Sequence, residues 1–144
     1  MKTIIRILFC LLMFLPLLAC DPEPKHEHIY LKNDCDERIY VFDYCYEDST
    51  PIIPADVIYR QDPKIIEAGV EGLATVFSTE WFEKGCAAQF IVYKESTWKK
   101  YTMEEIKRND IFDKRFFLRL PQLKACKNHV KYSEGKDRAV TEMS

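Results

Sequence analysis

The most regular pattern of hydrophobic and polar positions lies in residues 38–46. Aromatic side chains occupy every second position there, at Tyr40, Phe42, Tyr44 and Tyr46. Side chains of a β-strand point alternately to the two faces of a sheet, so a period of two predicts a strand with one aromatic face. Turn-forming residues at 33–37 separate this strand from another one predicted at residues 28–33.

Further apolar runs that favour β structure predict the remaining strands. They lie at residues 64–68, 72–79, 87–94, 111–120 and 128–132. Many short strands separated by turn residues are typical of a β-sandwich. The predicted fold class is therefore mainly β, an antiparallel β-sandwich of about six or seven strands with one short α-helix.

That helix is predicted at about residues 102–110. Thr102 and Glu105 have the spacing of a capping box, in which each side chain bonds the main-chain N–H of the other residue. Met103 and Ile106 are three positions apart and should both face inward. Pro121, a residue type favoured at the first position of helices, indicates a second short helical turn.

The N-terminus has the pattern of an export signal. Basic residues precede an apolar run at residues 7–18, and Ala19 comes directly before Cys20. The run is shorter than the roughly 20 residues of a membrane-spanning helix, and it contains a proline. Residues 17–20 resemble the lipobox read by lipoprotein signal peptidase, which implies a lipid on the Cys20 thiol.

These patterns divide the chain into four segments. We expect a signal peptide at residues 1–19, a lipidated tether at 20–27, a single β-sandwich domain at 28–133 and a disordered tail at 134–144. A domain of this size buries roughly 65% of its unfolded surface, which suffices for stability without a cofactor. The expected location is the outer membrane of a Gram-negative bacterium, facing the periplasm or the cell exterior.

Four cysteines remain after the signal and the lipidated residue are set aside, and an exported compartment favours two disulfides. They are Cys35, Cys45, Cys86 and Cys126. A Cys35–Cys45 bond is disfavoured, because the strand between them would hold their Cα atoms far beyond bonding range. Two pairings stay open: 45–86 with 35–126, or 35–86 with 45–126. The first is preferred, because Cys45 ends one predicted strand and Cys86 begins another.

The sequence offers little for catalysis or for metal and nucleic-acid binding. It lacks G-x-S-x-G, H-E-x-x-H and Gly-rich phosphate-loop motifs, and its cysteines lack the close pairing of zinc sites. His129 lies near Cys126, which we expect to be oxidised. The chain has 21 basic and 23 acidic residues without a concentrated basic patch. We expect no enzymatic activity, metal, cofactor or nucleic-acid partner.

Four aromatic residues are the candidates for contact with a partner. They are Tyr40, Tyr44, Trp81 and Trp98. A surface stripe of such residues would favour binding of an envelope protein or a glycan. Burial of the same residues in the core is the alternative, and it would favour a structural role.

Several short motifs together resemble a family of small lipoproteins from Bacteroidetes bacteria that has no known activity. They include Arg38-Ile-Tyr-Val41, Phe90-Ile-Val-Tyr93, Lys114-Arg-Phe-Phe-Leu118 and Leu120-Pro-Gln-Leu123. The chain departs from the family pattern at Glu47, where proline is common, and in its four cysteines. The resemblance implies a compact domain tethered to the outer membrane. We therefore expect an interaction or accessory module of the envelope, with a structural assembly protein as the alternative.

Overall fold

The computed structural model describes residues 25–43, 53–57 and 62–133. These residues form seven strands, four short helices and a single helical turn at Pro54–Val57. The strands are β1 His26–Asn33, β2 Ile39–Asp43, β3 Lys64–Ile66, β4 Glu71–Ser78, β5 Ala88–Lys94, β6 Lys114–Leu118 and β7 His129–Tyr132. The helices are α1 Thr79–Glu83, α2 Glu95–Lys100, α3 Met103–Arg108 and α4 Leu120–Ala125.

The strands form a three-stranded sheet in the order β4-β1-β7 and a four-stranded sheet in the order β3-β2-β5-β6. Neighbouring strands are antiparallel except β1 and β7, which are parallel. The mainly β class and the number of strands are confirmed. The prediction of purely antiparallel sheets is wrong, because β7 follows the connecting helix α4 and runs in the direction of β1.

The prediction of one helix is also wrong, since four are present in the described residues. Helices α1, α2 and α4 have only five or six residues each, fewer than two turns. So short a segment shows no clear helical periodicity in the sequence. The turn predicted from Pro121 corresponds to α4.

A hydrophobic cluster lies between the two sheets. The three-stranded sheet contributes Ile29, Leu31, Phe77 and Tyr132, and the four-stranded sheet contributes Ile39, Val41, Phe90 and Phe116, among others. Burial of these side chains contributes about 25 cal/mol for each Å² of apolar surface removed from water. This cluster joins the two sheets.

A second cluster covers the opposite face of the four-stranded sheet. It contains Phe42, Ile91, Tyr93 and Ile106, with Tyr40, Trp98, Tyr101, Ile111 and Phe112 packed against it. The Trp98 ring of α2 lies 5.6 Å from Tyr40, 5.4 Å from Phe42 and 5.3 Å from Tyr93, measured between centroids. The aromatic face of β2 therefore packs against helices. The other face of β2, with Ile39 and Val41, packs into the cluster between the sheets.

Strand β5 lies between the two clusters, and its first six residues are all buried. A strand covered on both faces needs a continuous apolar run and not an alternating one. The sequence Ala88-Gln-Phe-Ile-Val-Tyr93 meets this requirement, with Gln89 as its one polar residue.

Buried Asn33 connects the two sheets through its side-chain amide. Its Nδ2 group donates to the main-chain oxygens of Glu37, at 2.8 Å, and Ile66, at 3.1 Å. Its Oδ1 atom accepts from the Cys35 N–H at 3.1 Å. The end of β1 is thereby fixed against β3, and a polar group with no exposure to water keeps its hydrogen bonds.

Helix α3 has the predicted capping box. The Thr102 hydroxyl accepts from the Glu105 N–H at 3.2 Å, and the Glu105 carboxylate accepts from the Thr102 N–H at 2.8 Å. The bond from the Thr102 main chain is the largest cause of a lowered pKa at Glu105. Ile106 is buried as predicted, but Met103 is 39% exposed, because it occupies the first position of the helix, away from the sheet.

The described chain begins just before β1. The carbonyl of Lys25 accepts from both the N–H and the hydroxyl of Thr79, at 2.9 Å each. Since β1 starts at His26, residues 26–27 form part of the sheet and not of the predicted tether. The signal peptide, Cys20 and the predicted tail lie outside the described residues. In the described ranges, no helix has the length and apolar character needed to cross a membrane.

Tyr93 gives a direct test of the second cluster. Its hydroxyl is buried without a hydrogen-bond partner among the described residues, and burial is the largest cause of its strongly raised pKa. An unsatisfied buried hydroxyl costs about 1–3 kcal/mol. Tyr93→Phe should therefore increase the free energy of unfolding by about 1 kcal/mol, measured by urea denaturation at pH 7.

The pH dependence of stability provides a second readout of the same variant. Because the pKa of Tyr93 is raised in the folded state, the wild type should lose stability as the pH rises above about 10, where the unfolded tyrosine ionises. The Tyr93→Phe variant should lose less stability over the same pH range. Tyr40→Phe, on the paired position of β2, is the control and should not be stabilised. Destabilisation by Tyr93→Phe would mean that the hydroxyl has a partner.

Candidate functional site

A cleft of about 380 Å³ opens between β6 and β7. Strand β6 is an edge strand of the four-stranded sheet, and β7 is an edge strand of the three-stranded sheet. Helix α4 connects the two strands, and its Gln122 side chain, together with Cys126 just after the helix, also lines the cleft. The cleft is therefore the open side between the two packed sheets.

The apolar part of the cleft is continuous with the core between the sheets. Phe116 and Leu118 of β6 and Val130 of β7 line the cleft and are themselves buried. The ring of Phe116 stacks on Phe90 of β5, with centroids 4.7 Å apart. These contacts fix the shape of the apolar surface, because each lining ring or branched side chain is packed from behind.

The charged residues that line this surface are all basic. Lys114, Arg115 and Lys131 line the cleft together with His129, and no aspartate or glutamate is among its lining residues. The whole chain has more acidic than basic residues, so this distribution is a local property of the cleft. A site of this kind attracts carboxylates and other anions.

Arg115 is held in place by its neighbours. Its guanidinium lies 4.4 Å from the centroid of the Phe112 ring, and an Nη atom lies 3.4 Å from each carboxylate oxygen of Asp110. Asp110 has a left-handed backbone conformation, with φ of 49°. Lys131, by contrast, forms no ion pair with any residue that the structure describes, so its positive charge is available to a ligand.

His129 lies at the rim of the cleft, on β7. Its Nδ1 atom is 2.9 Å from the Glu71 carboxylate, and its ring stacks on Tyr30 with centroids 5.4 Å apart. His129 and Glu71 are both substantially exposed, so an ion pair between them adds little stability. The two contacts nevertheless fix the orientation of the imidazole on the outer face of the three-stranded sheet.

The position of β7 depends on the end of α4. Leu123 is fully buried and anchors the helix to the core between the sheets. Lys127 and Asn128 then adopt left-handed conformations, with φ of 52° and 63°, and reverse the chain into β7. The Asn128 amide donates to the Glu27 carboxylate at 2.7 Å, and the Asn128 carbonyl accepts from the Tyr30 N–H at 2.9 Å.

Three of the four cysteines in the predicted disulfides lie in the described residues, and their pairing stays a prediction. No disulfide joins Cys35, Cys86 and Cys126 to one another, and Cys45 lies outside the described residues. Cys35 and Cys86 are buried in the core between the sheets, where a thiol packs as a small apolar group.

Cys126 and His129 both line the cleft, and each forms a contact with a neighbouring residue. The Cys126 thiol donates to the Leu123 carbonyl at 3.4 Å. The His129 Nδ1 atom faces Glu71, as described above. Among the described residues, no group of side chains could hold a metal ion.

The aromatic residues predicted as contact sites are spread over both clusters. Tyr40 and Trp98 stack on each other over the second cluster, and Trp81 packs edge-on to Phe77 beside the first, with centroids 5.3 Å apart. All three are half-buried. Tyr44 lies outside the described residues. The structure thus does not bring Tyr40, Trp81 and Trp98 together into a common site.

Sequence reasoning missed the cleft, although it predicted both strands that form it. Two usable signals were the alternation of basic and apolar residues in His129-Val-Lys-Tyr132 and the basic pair directly before the apolar run in Lys114-Arg-Phe-Phe-Leu118. The missing information was that both strands lie at sheet edges.

Comparison with known proteins adds no relative. No protein-family model, no curated protein and no solved structure matches the chain.

Two substitutions at Asn128 separate the backbone and side-chain contributions to the position of β7. Asn128→Gly keeps the left-handed conformation and loses the hydrogen bond to Glu27. We therefore expect the free energy of unfolding to fall by about 1 kcal/mol. Asn128→Ala loses the same bond and, unlike glycine, keeps a Cβ atom in the left-handed region without the polar side chain that lets Asn tolerate it, which costs a further 1 kcal/mol or so. Thermal or urea unfolding measures both. Equal stability of the two variants would contradict the observed backbone conformation.

Proposed function

We propose that this protein is a lipid-anchored binding module of the bacterial envelope, and that the cleft between β6 and β7 is its binding site. The ligand class is an amphipathic molecule that combines apolar groups with a carboxylate or a similar anion. The observation that carries this proposal is the lining of the cleft, which is apolar at its base and exclusively basic in its charged residues.

The size of the cleft supports binding of a small ligand or of a few side chains. Ligand sites in proteins usually have volumes of about 300–1,000 Å³, with apolar walls and a few polar groups that orient the ligand. At about 380 Å³ the cleft lies at the lower end of that range. Lys131 has no competing ion pair in the described part of the chain, so a ligand carboxylate would not need to displace one.

The aromatic row on β2 is a weaker candidate for the binding site. Tyr40 already stacks on Trp98, and Phe42 and Tyr93 pack beneath the same indole ring. A glycan would have to compete with these contacts for the ring faces. The packing favours a structural role for these residues, and we assign binding to the cleft.

The anchor and the family resemblance complete the proposal. The lipobox-like residues 17–20 support attachment of lipid to Cys20, with each buried CH₂ group adding about 0.8 kcal/mol of membrane affinity. The described domain starts at Lys25, five positions later, so it would lie close to the membrane surface. We place the protein at the outer membrane, in agreement with the Bacteroidetes lipoproteins that its motifs resemble, and describe the finer fold as a β-sandwich with an added helical layer.

Lipidation is tested by substitution of the acceptor. The wild type should incorporate an alkyne-labelled palmitate and sediment with membranes, whereas Cys20→Ala should do neither. The two measurements are fluorescence of the clicked label on a gel and immunoblotting of membrane and soluble fractions. Palmitate incorporation into Cys20→Ala, or a wild-type protein that retains residues 1–19 by mass spectrometry, would contradict the proposed anchor.

The cleft is tested with anilinonaphthalene sulfonate, a fluorescent dye that combines an aromatic surface with an anionic group. With a chain of residues 21–144, which contains every described residue, Lys131→Glu should weaken dye binding about fivefold, because one charge beside the ligand is reversed. Lys124→Glu on α4 makes the same charge change outside the cleft lining and is the matched control.

Fluorescence titration gives the dissociation constants, and circular dichroism confirms that both variants are folded. Equal binding by the wild type and both variants would contradict the cleft as the site. Such a result would leave the structural assembly role as the better explanation.

A further inference from the structure

We propose that the ligand is an extended peptide segment of another envelope protein, with alternating apolar and acidic residues, which adds to β6 as an extra strand. This inference rests on the proposed function of the same cleft and specifies its ligand.

The position of β6 provides the main-chain contacts. Strand β6 pairs with β5 on one side and has no strand on the other side in the described part of the chain. Alternate residues of an antiparallel strand direct their N–H and C=O groups away from the partner strand. A peptide in the extended conformation satisfies these groups by strand addition, a recurring mode of peptide recognition.

Strand β6 is also fixed at both ends before a ligand arrives. On one side, the Asp113 carboxylate accepts from the Lys94 N–H at 2.7 Å and from the Thr97 hydroxyl at 2.9 Å. On the other side, the Arg119 N–H donates to the Gln122 side chain at 2.8 Å at the start of α4. A preorganised edge loses little conformational entropy on binding, so more of the interaction energy appears as affinity.

The side chains around β6 determine the pattern of the peptide. Side chains of an added strand point alternately to the two faces of the sheet. One set would contact the apolar surface of Phe116, Leu118 and Val130, which is continuous with the core. Acidic side chains are favoured at the other positions, because Arg115 lies on that face of β6, opposite Phe116 and Leu118, and Lys131 adds a second positive charge at the rim of the cleft.

The same charges disfavour a second copy of this chain as the occupant. Two β6 edges paired with each other would bring Lys114 and Arg115 of one copy close to the same residues of the other. Like charges on directly opposed strands are destabilising. Basic residues on edge strands protect proteins from aggregation, and charge alone is enough for that protection. The apolar cleft beside these charges is not needed for protection. A peptide ligand, in contrast, would use it to bury its own apolar side chains.

The experiment uses the full lipidated chain in nanodiscs and a phage-displayed library of random ten-residue peptides. Phage that bind empty nanodiscs are removed first, and phage that bind the Lys131→Glu variant are removed next. The enriched peptides should alternate between apolar and acidic residues, and their affinity for the Lys124→Glu control should equal that for the wild type.

Two N-methylated forms of the best peptide then test strand addition without any change to the protein. One form carries N-methyl groups on the odd residues and the other on the even residues. Only one of them should lose binding, by at least tenfold, because alternate N–H groups of an added strand bond to the edge. The other form should bind within about twofold of the parent peptide.

Hydrogen exchange of the complex locates the peptide, and new protection should appear at alternate amides of β6. Protection at β7 instead of β6, or equal effects of both N-methylated forms, would overturn strand addition at β6 and leave the proposed cleft intact. If no peptide is enriched while binding of the dye still depends on Lys131, the ligand is not a peptide. That result overturns the peptide inference and leaves the proposed binding function of the cleft in place.

Discussion

Burial of β5 on both faces is the constraint from which the rest of the architecture follows. Its side chains contribute to the cluster between the sheets on one face and to the cluster beneath Trp98 on the other. A chain that contains so continuous an apolar strand has to provide two covering layers. The three-stranded sheet is one of these layers, and the segment from α2 to Phe112 is the other.

The same layering accounts for the cleft. The four-stranded sheet ends at β6, and α4 carries the chain across to β7, where the parallel pairing with β1 begins. Leu123 ties α4 to the core, while the left-handed residues Lys127 and Asn128 set the direction of β7. Two sheet edges consequently face one apolar space, and their basic side chains surround it.

Local features of this fold could be predicted from the sequence, whereas pairings between distant segments could not. Alternation revealed β2, the continuous apolar run revealed β5, and the spacing of Thr102 and Glu105 revealed the start of α3. The period of two along β2 separated Tyr40 and Phe42 from Ile39 and Val41, but it did not indicate which face meets the other sheet. The parallel pairing of β7 and the cleft depend on contacts across about 100 residues, for which the sequence holds no local signal. The lipid anchor and the cysteine pairing stay predictions.

Residue-resolved hydrogen exchange of the ligand-free protein tests the central claim, that a doubly buried β5 supports an open β6 edge, most directly. Amides of β5 should exchange only through global unfolding, and β6 should show alternating protection, because every second N–H bonds to β5 and the others face the cleft. Uniform protection along β6 would mean that another segment covers this edge, and it would contradict the open cleft.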